Sequence, residues 1–208
     1  VRIFRRSTHG SGVDGYWQIG SFLGNHEQYL GEALSLSENG NRVVIGGANP
    51  SGDQLAEGFG DGNGTPRPLR VYDYDGTTWA QVGQDLPEAR CLSLSADAST
   101  IGMIAYTTKS GTAMQSAEVY RYEGQSWTQI GTKFNEGLGY GGYYYENSQK
   151  NYRQWLCISD DGQIVATLDA QNVVKTWRED ALGFIQFGDP ESVRGRENYP
   201  AAVAISGD

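Results

Sequence analysis

The chain has 208 residues, a formal net charge of −9, and 29 glycines beside 13 tyrosines and 5 tryptophans. The acidic balance excludes a nucleic-acid backbone or an anionic membrane surface as partner, because binding either requires clustered Lys and Arg. No apolar run approaches the ~20 residues of a membrane span, and abundant Gly with abundant aromatics points to short strands joined by tight turns.

The chain opens inside a strand pattern, Val1-Arg2-Ile3-Phe4, so further sequence is expected upstream. An Asp14-Gly15 turn and the strand Trp17-Gln18-Ile19-Gly20 follow. Residues 1–32 are therefore expected to be half a unit, its third and fourth strands.

From residue 33 four patterns recur in a fixed order. The first is an alternating strand ending in a turn, Ala33-Leu34-Ser35-Leu36-Ser37-Glu38-Asn39-Gly40. It returns at Leu92–Asp97, Leu156–Gly162 and Val203–Asp208. Large and small residues alternate in it, so one face is bulky and the other small. The second is an apolar run, Arg42–Gly46, then Thr100–Ala105, then Gln163–Thr167. Such a run suits a strand covered on both faces. The third is Leu69–Tyr74, matched by Glu118–Tyr122, Val173–Trp177 and Arg2–Phe4. The fourth is Trp79-Ala80-Gln81-Val82-Gly83, matched by Trp127–Gly131, Phe184–Gly188 and Trp17–Gly20. Between the third and fourth, Asp75-Gly76 and Glu123-Gly124 read as two-residue hairpin loops of type I′.

The third motif recurs at Ile3, Val71, Val119 and Val174, a mean spacing of about 57 residues. Four strands per unit at that spacing predict an all-β chain, a β-propeller of four-stranded antiparallel blades. About three and a half blades are present: the half blade 1–32, blades at 33–83, 91–131 and 155–188, and the first strand of a next blade at 200–208. Propellers close with about 4–8 blades. The expectation is therefore a fragment of a six- to eight-bladed ring, a half-ring paired with another chain, or a small four-bladed ring.

The order LSLSxDG, VxIGA, VxVYxYDG, WxQxG resembles the FG-GAP-like, integrin-α-like propeller repeats of secreted and surface proteins of marine bacteria and algae. The resemblance implies an extracellular or cell-surface location and an adhesion, binding or assembly role. The calcium loop of that wider group, DxDxDG, is absent. Its nearest match, Phe59-Gly60-Asp61-Gly62-Asn63-Gly64, offers two oxygen side chains, Asp61 and Asn63. No cofactor is expected, calcium at Asp61 and Asn63 being the alternative to a solvated turn-rich loop over 49–68.

Asn63-Gly64-Thr65 is a glycosylation sequon. Tyr140, Tyr143, Tyr144, Tyr145, Tyr152 and Trp155 crowd a segment that departs from the repeat. Tyrosine presents a flat apolar face and a polar tip at little entropic cost, which suits contact with a protein or glycan. The bland alternative is a loop packed on its own blades.

Cys91 and Cys157 match neither a disulfide framework nor a zinc spacing and read as small buried hydrophobes. His9 and His26 lie in poorly periodic stretches, and no nucleophile elbow, metal-binding His pair or phosphate loop occurs. Asp160-Asp161 occupies the turn that reads Glu38-Asn39 elsewhere, so turn chemistry explains it better than paired catalytic carboxylates. Catalytic residues are thus expected to be none, with a polysaccharide-acting enzyme using loop carboxylates as the rival, and a structural subunit completed by a partner chain as the third reading. Expected partners are protein, glycan or further blades, with no nucleic acid and no membrane insertion.

Overall fold

The computed structural model describes residues 1–8, 14–21, 30–47, 68–109, 112–134, 156–169, 173–192 and 203–205. Among these the fold is all-β. Strands β1 (Phe4–Thr8) and β2 (Asp14–Gln18) form an antiparallel pair. Three four-stranded antiparallel meanders follow. Unit 1 is β3 (Leu30–Leu36), β4 (Arg42–Gly47), β5 (Arg70–Tyr74) and β6 (Trp79–Gln81). Unit 2 is β7 (Ala89–Leu94), β8 (Thr100–Lys109), β9 (Thr112–Tyr122) and β10 (Trp127–Gln129). Unit 3 is β11 (Leu156–Ile158), β12 (Ile164–Leu168), β13 (Val173–Asp180) and β14 (Gly183–Ser192).

The units are equivalent residue by residue. After the first strand, Ser95 Oγ donates to Asp97 Oδ1 at 2.7 Å and accepts from the Thr100 N–H at 3.0 Å, while the Ser99 N–H donates to Asp97 at 2.9 Å. Ser159 and Asp161 make the same three bonds, and so do Ser37 and Asn39. A short acceptor bound to the backbone two residues on is what turns this loop. Asp161 is thereby committed to a turn. At the outer edge Gln18, Gln81, Gln129 and Gln186 lie opposite Phe4, Tyr72, Tyr120 and Trp177.

This register corrects the equivalence of Trp17. The residue in the slot of Trp79 and Trp127 is Tyr16, which lies opposite Arg6 as they lie opposite Tyr74 and Tyr122. Trp17 falls one residue later and takes the other face. Asp14 and Gly15, expected as a turn, are in β2 opposite Thr8 and Ser7.

The Asp-Gly loops also differ from expectation. Asp75–Thr78 is a four-residue connection closed by the Asp75 N–H donating to the Thr78 carbonyl at 3.1 Å. Gly76 has a positive φ of 100°, but Asp75 does not, so the type I′ geometry is not formed. The Asp75 carboxylate takes the Thr77 and Thr78 N–H groups instead, each at 2.7 Å. Glu123–Ser126 closes the same way.

Three apolar layers join the units in sequence. Residues alternate faces along a strand, so β4 sends Val43 and Ile45 one way and Val44 the other. Val43, Ile45 and Trp79 pack with Ile3 and Ile19 of the N-terminal pair. Val44, Leu69 and Val71 of unit 1 pack with Leu92, Leu94 and Trp127 of unit 2. Ile104, Ala117 and Val119 of unit 2 pack with Leu156, Ile158 and Phe184 of unit 3. The first strands β3, β7 and β11 are neighbours in the stack.

Candidate functional site

The site is built from the interface that the units share. Leu94 N–H donates to Ser35 Oγ at 3.1 Å and Ile158 N–H to Ser93 Oγ at 3.3 Å, so the small residue of each first strand receives the next strand. Trp79 Nε1 donates to the Ile19 carbonyl and Trp127 Nε1 to the Val82 carbonyl, both at 3.1 Å. Arginines brace the same joints. Arg5 donates to Asn41 at 2.6 Å, and Arg42 reaches the Ala98 carbonyl at 2.7 Å while lying over the Tyr122 ring. Arg121 holds Glu179 through two bonds of 2.9 and 2.7 Å.

Among the described residues, the equivalent positions of unit 1 are less covered. Leu92 and Leu94 are 6% and 8% exposed, and Leu156 and Ile158 are 0% and 6% exposed. Their equivalents Leu34 and Leu36 are 57% and 45% exposed. The reason is topological. Leu92 and Leu94 pack on Val44 and Val71, from the second and third strands of the preceding unit. Among the described residues, the β1–β2 pair before unit 1 supplies the equivalents of the third and fourth strands. Phe4 and Tyr16, whose equivalents Tyr120 and Trp127 pack against a preceding unit, are 50% and 73% exposed. These exposed positions match, residue by residue, positions that are buried in units 2 and 3.

Glu118 is buried, and its carboxylate meets Lys133 Nζ at 2.7 Å and accepts from the Tyr120 hydroxyl at 2.8 Å. Burial, and then Glu118, push the Tyr120 phenol well above its usual range. Burial pushes the Cys157 thiol up to about 11, which leaves it protonated and unreactive at neutral pH. Among the described residues no cluster of three or more His, Cys, Asp or Glu is arranged to hold a metal.

Tyr140, Tyr143, Tyr144, Tyr145, Tyr152, Trp155, Asp61, Asn63, His9 and His26 lie outside the described residues. The half unit expected at 1–32 implies an apolar face beside it, and the exposed side chains there are Leu34 and Leu36. The motif there reads like its two buried copies and differs in what the described residues lay against it.

No family model and no curated protein matches the sequence. Among solved structures the chain is similar to a chain of the tricorn protease, at 13% identity and TM-score 0.42 over 83% of this chain and 14% of that one. It is similar to a chain in the complex of KlAtg21 with the coiled-coil of AgAtg16, at 14% identity and TM-score 0.43 over 83% of this chain and 47% of that one. It is also similar to TolB from Acinetobacter baumannii, at 14% identity and TM-score 0.38 over 89% of this chain and 39% of that one. The chain spans less than half the length of each.

Proposed function

We propose that the chain is a run of consecutive β-propeller blades serving as a non-catalytic extracellular module for binding and assembly, of the FG-GAP-like kind. The observation that supports this reading is the stack of three equivalent four-stranded units joined in sequence by apolar layers. Each unit buries an apolar face of the next, a mode of contact that further blades of this chain or of another can extend. Sedimentation velocity at rising protein concentration tests it. The chain is expected to self-associate or to capture added blades, and Leu34→Asp with Leu36→Asp is expected to abolish this. A monodisperse monomer that binds no apolar dye overturns the assembly reading.

The partner-contact role of Tyr140 to Trp155 belongs to the same proposal. Deletion of Gly139 to Asn147 should leave the thermal melt unchanged and remove binding in glycan-array and pull-down assays. Unfolding on deletion would make the segment internal packing instead.

A further inference from the structure

We infer that the joint between units 2 and 3 is a salt-sensitive hinge, which rising ionic strength loosens while the joint between units 1 and 2 holds. The hinge goes beyond the binding and assembly role proposed above and needs only contacts between described units.

Each joint receives a guanidinium at the same place. The receiving residue ends the third strand and is Tyr74, Tyr122 or Glu179. Each donates its N–H to the turn after the first strand of its own unit, at the Asn41, Ser99 and Gln163 carbonyls. Arg5 lies over the Tyr74 ring at 5.6 Å, and Arg42 over the Tyr122 ring at 4.6 Å. In unit 1 Asp73 holds the third-strand position that Arg5 and Arg121 fill elsewhere, and the guanidinium comes from Arg42, directly opposite Asp73 on β4. Glu179 has no ring to offer. Arg121 holds its carboxylate instead, through two hydrogen bonds of 2.9 and 2.7 Å.

The same joint also lacks the indole bond. Trp79 and Trp127 donate to the Ile19 and Val82 carbonyls ahead of them. Phe184 fills their position in unit 3, and Trp177 uses its Nε1 inside that unit, on Thr167 Oγ1 at 3.0 Å. The unit 1–unit 2 joint has a further clamp. The Gln84 amide accepts from the Trp127 N–H at 3.0 Å and donates to the Trp127 carbonyl at 2.6 Å.

Screening decides which joint responds to salt. The Arg121 side chain is 38% exposed and that of Glu179 22%, so mobile ions reach the pair. The Arg42 side chain is 15% exposed. Its ion pair with Asp73 lies inside unit 1, and across the joint it meets a ring face and the Ala98 carbonyl, not an opposite charge. The Debye length falls from about 10 Å at 0.1 M salt to about 3 Å at 1 M, which removes most of an exposed ion pair and little of a buried contact to a dipole. Asp97 also attracts Arg121 and is screened with it. The apolar layer of Ile104, Val119, Leu156 and Phe184 does not depend on charge, so it keeps units 2 and 3 together while the rim that carries the turns loosens.

Amide exchange in the whole chain reads each joint separately. The Ile158 N–H bonds Ser93 Oγ and the Ala96 N–H bonds the Asp160 carbonyl, both across the unit 2–unit 3 joint. The Leu94 N–H bonds Ser35 Oγ across the unit 1–unit 2 joint. Raising NaCl from about 0.1 M to about 1 M should speed exchange at Ile158 and Ala96 about two- to fivefold and leave Leu94 unchanged. Glu179→Gln should show the faster rates already at low salt and lose the response. Glu179→Tyr, which rebuilds the receiving residue of the other joints, should lose the response and keep exchange slow. Double-mutant cycles in urea melts add a second measure. The coupling of Arg121 with Glu179 should vanish at high salt, and that of Arg42 with Tyr122 should persist. A steady rate at either Ile158 or Ala96, an equal response at Leu94, or a response that survives Glu179→Gln overturns the hinge. Two couplings that respond alike to salt overturn it as well.

Discussion

Trp127 seats on Gly83 of the preceding unit. Its Nε1 donates to the neighbouring Val82 carbonyl at 3.1 Å, and a Cβ built on Gly83 would lie 2.6 Å from its Cδ1. Trp79 seats on Gly20 in the same way, with its hydrogen bond to Ile19. At the third joint Phe184 stands in the tryptophan position and has no N–H to give. There Gly131 meets Gly183 directly, backbone against backbone. One latch is thus used twice and replaced once by close approach of two glycines.

Trp127→Phe should cost about 1–3 kcal/mol, because it leaves the Val82 carbonyl without its donor. Trp127→Ala should cost about 3–5 kcal/mol as a core truncation. Trp17→Phe should stay within about 0.5 kcal/mol, since Trp17 is exposed and outside the latch. Urea melts of the three variants check the assignment. Equal losses at Trp17 and Trp127 would refute the register that puts Tyr16 in the latch position.

Gly83→Ala and Gly76→Ala separate backbone strain from steric conflict. Both glycines have positive φ, 72° and 100°. A left-handed conformation costs an L-residue roughly 1–2 kcal/mol. Nothing stands within 4 Å of a Cβ on Gly76, so Gly76→Ala should show that cost alone. Gly83→Ala must in addition displace the Trp127 ring, and its loss should be clearly larger. Equal losses in denaturant melts would mean that the ring is not seated there.

Equivalent leucines should respond unequally. Leu92→Ala and Leu156→Ala remove buried side chains and should each cost about 2–5 kcal/mol. Leu34→Ala, at the same motif position but exposed, should cost under about 1 kcal/mol in the isolated chain. Thermal melts of the three variants decide it. A large loss at Leu34 would show that its face is covered.

Acid should weaken the turns. The Asp161 carboxyl is held below its usual range by the Ser159 hydroxyl and then the Gln163 N–H, and Asp85 is lowered chiefly by its bond to Arg70. Above the unfolded pKa, near ~4, both states are ionised and the contribution is whole. As pH falls from there toward the lower folded value, only the unfolded chain takes up the proton, so stability drops. Denaturant melts should therefore be flat from about pH 7 to 5 and weaken below about pH 4. Asp161→Asn should reduce that slope while keeping the turn, because Asn39 makes the same bonds in unit 1. A slope unchanged by this substitution would remove Asp161 as a contributor.

The order of strands was legible in the sequence because each motif carries its own local physics. Alternation in Leu92-Ser93-Leu94 declares a first strand, the apolar run after Ser95 and Asp97 declares a second, and the tryptophan with its trailing glutamine and glycine declares a fourth. The hairpin loops were less legible. Asp-Gly suits two turn geometries, and the carboxylate of Asp75 selected the wider one by taking two backbone donors. Trp17 misled for a related reason. An aromatic before Gln-Ile-Gly looks like Trp79, but strand register counts single residues, and one step moves a side chain to the other face.

By itself, then, the sequence determined the all-β class, the four-strand unit and the turn chemistry, all of which depend on contacts close along the chain. The tertiary structure alone decided which copy of a repeated motif is buried. Leu34 and Leu92 are the same residue in the same local pattern. Whether such a leucine meets protein or solvent depends on the strand laid against it by the preceding unit, residues far away in sequence. Burial is a property of that neighbour, and a local pattern does not record it.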